Sequence, residues 1–159
     1  MRKKSKYKPR PVRADNMSWC IAGMKKVGSL PAAGVALKLK NREALDEALR
    51  GTATRDHVDV LIAAFNMAEA LYVINSNLGE DWKDEIKKAQ DAIYSMGKRC
   101  YQRATFACTA QERSALMTGM EIHDAQLDEC SVKEMEQALF TVEEFVRLKK
   151  ARPILEATC

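Results

Sequence analysis

His57 and His123 are the only imidazoles in the chain, so metal chemistry here would lean on carboxylates. The helical di-iron arrangement needs Glu-x-x-His twice, with both ligands facing inward. In Glu121-Ile122-His123 the carboxylate and imidazole instead stand about 200° apart on a helix, on different faces. His123 shares its register with Leu116, Met120 and Leu127, the pattern of a hydrogen-bonded core histidine. Nucleophilic catalysis has no foothold, because neither a G-x-S-x-G elbow nor a Cys-His signature occurs. The five cysteines, Cys20, Cys100, Cys108, Cys130 and Cys159, are odd in number and form no CxxC pair, which fits neither a disulfide scaffold nor a zinc knuckle. Cys20, Cys100 and Cys130 sit at or near apolar stripes, as small hydrophobes do in a reducing cytoplasm. Gly23, Gly28 and Gly34 fit no phosphate-cradling pattern. The expectation is a protein that is not an enzyme and carries no cofactor and no metal.

Charge is the other feature with chemical content. Lys and Arg number 26 against 22 Asp and Glu, a net of +4. Residues 1–13 alone hold seven bases and no acid, namely Arg2, Lys3, Lys4, Lys6, Lys8, Arg10 and Arg13. The other 146 residues therefore carry 19 bases and 22 acids, a net of −3. A basic segment interleaved with Tyr7 suits phosphate neutralisation and stacking on an exposed base. It equally suits a solubilising tail or docking on an acidic protein face. Pro9 and Pro11 interrupt it, and no apolar stretch follows of the kind a signal peptide needs. The expected organisation is a flexible basic tail at 1–14, a helical domain at 15–153 and a C-terminal tail at 154–159.

The positioning elements follow from periodicity. Asn16 caps a short helix with Met17, Ile21 and Met24 on one side, beside Trp19 and Cys20. Residues 30–40 alternate Val35, Leu37 and Leu39 with Ala36, Lys38 and Lys40, and read as an extended connector to a helix at 42–50 that Asn41 caps and Gly51 ends. From a Thr54 cap, residues 55–74 are apolar nearly all round, the mark of a central bundle helix, with Asp59, Asn66 and Glu69 left for a polar face. Its longest uninterrupted apolar run, Val60 to Phe65, is far short of a membrane span. Asn75, Ser76, Asn77 and Gly79 turn the chain, and Asp81 caps a helix carrying Trp82, Ile86, Ala89, Ile93, Met96 and Cys100. Two S/T-x-x-E capping boxes, Thr109 with Glu112 and Ser131 with Glu134, open the last two helices. The final one is lined by Met135, Leu139, Val142 and Val146, flanked by Ala138 and Phe145. Lys149, Lys150 and Arg152 suit its C-terminus and Pro153 ends it. Four main helices, two short ones and short loops predict an all-α, single-domain antiparallel bundle. Trp19, Trp82 and eight Met also suit an adaptable partner groove. The acids Asp124, Asp128, Glu129, Glu134, Glu136, Glu143 and Glu144 are expected to give the last two helices a negative outer surface.

The opening KKSKYKPRPVRADNMSW and the helical stretch ATRDHVDVLIAAFNMAEALY resemble small accessory proteins of temperate phages and prophages of proteobacteria. The resemblance brings no activity or site residues. It implies a short cytoplasmic helical product that acts by binding a host or phage macromolecule, as inhibitors of bacterial defence systems and modulators of host machinery do. The alternative is a non-specific nucleic-acid-binding protein gripping phosphate with residues 2–13. In either case a homodimer is compatible and a membrane partner is not expected. A third reading starts from the doublet His123-Asp124, which resembles the metal-dependent phosphohydrolases of the His-Asp type, with His57 and Asp128 as partner ligands.

Overall fold

The computed structural model describes residues 16–30, 32–103 and 107–148. The basic segment 1–14, residues 149–159 and the side chains of Met17 and Trp19 lie outside the described residues. The described chain is all-α, with helices α1 (Asn16–Gly23), α2 (Ala33–Arg50), α3 (Arg55–Ile74), α4 (Lys83–Arg103), α5 (Ala110–Glu129) and α6 (Val132–Arg147).

Local chemistry accounts for most helix ends. Thr109 and Ser131 each accept from the backbone N–H three residues on, while Glu112 and Glu134 reach back to the cap N–H at 2.8 Å. Thr54 forms the same reciprocal box with a histidine, its N–H donating to His57 Nδ1 at 3.1 Å. Gly51 closes α2 at φ 77°, the left-handed conformation in which only glycine avoids a Cβ penalty. Arg99 grips Glu112 with both guanidinium nitrogens and donates to the Ala107 carbonyl, fixing the start of α5 to α4.

Helices α2 to α5 form an up-and-down four-helix bundle, and α6 packs on the outer side of α3. Cross-links at the two ends give the directions. Arg113 and Cys108, at the start of α5, reach the carbonyls of Leu49 and Ala48 at the end of α2. Gln126, near the end of α5, reaches Ala68 near the end of α3. The most apolar helix is accordingly the most surrounded: α3 has the length and composition of a membrane span, yet α2, α4, α5 and α6 all contact it.

Four expectations need correction. Residues 33–41 are helical, so α2 is a full bundle member and Asn41 is buried mid-helix instead of capping. Trp82 belongs to a 3-10 turn ahead of α4 and is 55% exposed, so it does not continue the buried stripe of Ile86, Ala89, Ile93 and Met96 and Asp81 is not a helix cap. In α6 the fully buried residue is Ala138, while Leu139 and Val146 stand exposed. On α1, Cys20, Ile21 and Met24 are exposed.

The chain between α1 and α2 is a strap laid across the α5–α6 turn. Val27 N–H donates to the Cys130 carbonyl at 2.9 Å and Val132 N–H to the Lys25 carbonyl at 2.8 Å, an isolated antiparallel bridge. Val27 is buried there with Leu71, Leu78, Leu127, Cys130 and Ala138. Below, a second apolar cluster runs through Leu45, Leu61, Phe65, Ile93, Met96, Leu116 and Met120.

Packing at the centre of the lower cluster is tight. A Cβ on Gly119 would stand 2.5 Å from Ala89 Cβ and 3.0 Å from the Phe65 ring. Gly119→Ala is therefore expected to cost about 1–3 kcal/mol through overpacking, outweighing the gain in helix propensity. Urea unfolding with an unchanged m-value checks this, and an unaltered midpoint would show that the α4–α5 contact has slack.

Candidate functional site

Between the two apolar clusters α2 and α5 bury polar side chains. Asn41 is 3% exposed, His123 1% and Gln126 4%. Gln126 is anchored, its Nε2 donating to the carbonyls of Ala68 at 3.0 Å and Leu78 at 2.6 Å. Four buried atoms have no partner among the described residues: Asn41 Nδ2, His123 Nδ1, Asp124 Oδ1 and Gln126 Oε1. These side chains make the layer the polar exception in an otherwise apolar interior.

The same interface is framed by charge. Lys38 Nζ lies 2.6 Å from Asp128 Oδ1, and Arg42 Nε donates to Asp124 Oδ2 at 2.7 Å. One turn separates the two bases and one turn the two acids, so Lys38 and Arg42 on α2 meet Asp128 and Asp124 on α5 as matched i, i+4 sets. Lys26 of the strap pairs with Glu129 at 2.5 Å. Glu134 is held by the Ser131 cap and by Asn75 Nδ2 at 2.7 Å, and Glu144 lies 3.5 Å from Arg147. Several acids of this stretch thus tie α5 and α6 to neighbouring segments, while Asp128, Glu129, Glu136 and Glu143 stand exposed on the outer surface.

Beside this interface, at the end of the bundle where α3 turns into α4, a groove of about 430 Å³ opens between that turn and α5. Leu78, Gly79 and Trp82 form one wall, and Ile122, Ala125 and Gln126 the other. Glu121 and Glu129 stand on the α5 side, and Glu80 and Asp81 precede Trp82 in its 3-10 turn. The walls are largely apolar and the surrounding charge is negative, the composition of a site that takes an apolar or aromatic group flanked by cations. Periodicity hid Trp82, which falls in phase with the α4 stripe although the helix starts one residue later.

The residues considered for metal-dependent hydrolysis are not gathered. His57 sits in the first turn of α3 with Nδ1 engaged by Thr54. His123 lies near the level of Ala68, through its neighbour Gln126, more than two turns further along the bundle. Asp124 and Asp128 are paired with α2. No group of three or more metal-binding side chains exists among the described residues. Arg2, Lys3, Lys4, Lys6, Tyr7, Lys8, Arg10 and Arg13, the candidate binding residues, lie outside the described residues, as does Cys159. Cys130 is buried, Cys100 and Cys108 are half-buried and Cys20 is exposed. Burial pushes the Cys130 thiol up to about 11, so it is protonated and unreactive at neutral pH. In comparisons with known proteins, the chain matches no protein family, no curated protein and no solved structure.

His123 makes the layer sensitive to pH. Burial brings its pKa down from 6.5 to about 4; the Gln126 side chain and the Asp124 charge oppose that shift, and Lys38 adds to it. The unfolded chain therefore binds more protons between those two values, and stability falls as pH drops from about 6.5 to about 4, by up to about 3 kcal/mol. Glu47, Glu112 and Glu134, held below their ordinary carboxylate range by hydrogen bonds to Thr52, Arg99 and Ser131 respectively, lose their contribution as pH falls through their depressed values. Urea titrations at pH 7, 5.5 and 4.5 are expected to show the histidine loss in the wild type and its absence in His123→Leu. A wild-type slope kept by the variant would place the titrating group elsewhere.

Proposed function

We propose that this chain is a non-enzymatic accessory interaction protein of a temperate phage or prophage, one that binds a protein of the host cell as an inhibitor of a defence system or a modulator of host machinery. The observation that carries the reading is the open groove at Trp82. An exposed indole over an apolar floor is the kind of anchor around which protein interfaces concentrate their binding energy. The phage context rests on the sequence resemblance of the basic opening and of residues 53–72.

Binding of nucleic acid through residues 2–13 is the competing outcome. It would neutralise up to seven phosphates, and log K would then fall with log salt at a slope of about −6.

The test is capture from a bacterial host lysate, with and without nuclease, comparing wild type with Trp82→Ala. A protein retained after nuclease and weakened tenfold or more by the substitution, about the scale of an aromatic anchor, is the expected result. Recovery of nucleic acid alone, indifferent to Trp82 and abolished by moderate salt, would overturn the reading.

A further inference from the structure

We propose that the groove between α5 and the α3–α4 turn is the docking site of the chain's own basic segment, residues 2–13, bound intramolecularly. The inference concerns the isolated protein and holds whether or not an external partner uses the same surface.

Charge complementarity is the first argument. Seven bases without an acid precede a body of net −3, and the groove carries two carboxylates on its α5 wall, Glu121 and Glu129, with no base among its lining residues. Of these, Glu129 already holds Lys26, which shows that this rim accepts a lysine from the N-terminal part of the chain.

Reach is the second. The strap carrying Lys26 is tied to Glu129 at the edge of the groove, and α1 begins ten positions before it. The eight residues of α1 span about 12 Å at 1.5 Å each. An extended segment of 15 residues covers about 50 Å, well over the return distance.

Composition is the third. A groove of about 430 Å³ with largely apolar walls accommodates a few side chains of a short segment of chain. Tyr7, Pro9 and Pro11 would supply an aromatic ring and two pyrrolidine rings, the residue types that dock against exposed indoles. The segment would lay Tyr7 or a proline ring on Trp82, with Lys6, Lys8 and Arg10 toward the acids.

Trp82 reports on this directly. In a Trp19→Phe background it is the one indole in the chain. The full chain is compared with a variant in which all seven bases of residues 2–13 become serine, and with Glu121→Lys on the other side of the contact. Docking predicts a blue-shifted Trp82 emission and a reduced acrylamide quenching constant in the parent, both lost in each variant. About 1 M salt, where the screening length shrinks to about 3 Å, should also remove them. Circular dichroism confirms that the helices are retained in each case. Quenching that is equal in parent and variants overturns the proposal. Protection that grows with protein concentration overturns it too, since the groove would then hold the segment of a second copy. Loss of lysate capture with protection intact would sink the proposed function and leave this contact standing.

Discussion

The attachment of α2 to α5 is the constraint on which the rest of the molecule depends. An apolar seam would have let the two helices slide by a turn at modest cost. Here Lys38 and Arg42 meet Asp128 and Asp124 at matching intervals, and His123 and Asn41 are buried beside them. A shift of one turn would leave one charge on each helix unpaired and partly desolvated. Such pairs add little net stability, but they leave one register in which all four charges are answered. The Leu71 and Phe65 clusters then pack above and below a fixed reference plane.

Much of this was legible in the sequence, and the parts that were not share a cause. Capping boxes at Thr109 and Ser131 are local chemistry, written entirely within four residues, and the structure forms both. The centrality of α3 follows from composition alone, because a helix apolar all round has to be surrounded. In α2 the buried face is Gly34, Asn41, Ala44, Leu45 and Ala48, and its first half presents a glycine, an asparagine and a lysine stem where periodicity looks for large apolar side chains. The exposed Val35 and Leu39 supplied a false alternation in their place. The clue was on the page as charge spacing: two bases at i, i+4 in one segment and two acids at i, i+4 in another.

The groove was beyond sequence reasoning for a different reason. Its walls come from a 3-10 turn and a helix some forty residues later, so no local pattern brings Trp82 and Ile122 together. What the sequence did reveal was the separation of charge between a short cationic opening and an acidic body. The fold turns that into geometry by pairing Glu112, Asp124, Asp128 and Glu129 of α5 with bases of other segments and leaving Glu121 on the groove wall.

The strap has a kinetic meaning beyond its place in the fold. Lys26 and Glu129 are 103 positions apart, so their contact closes a loop that contains the whole bundle. Closing so long a loop from the unfolded chain is entropically unfavourable, whereas once α2 to α5 have assembled the ends already lie side by side. Forming the strap early thus offers the chain the least return for the entropy lost. The backbone bonds of Val27 and Val132 and the Lys26–Glu129 pair thus join surfaces that only the assembled helices bring together, so the strap's hold is conditional on the bundle beneath it.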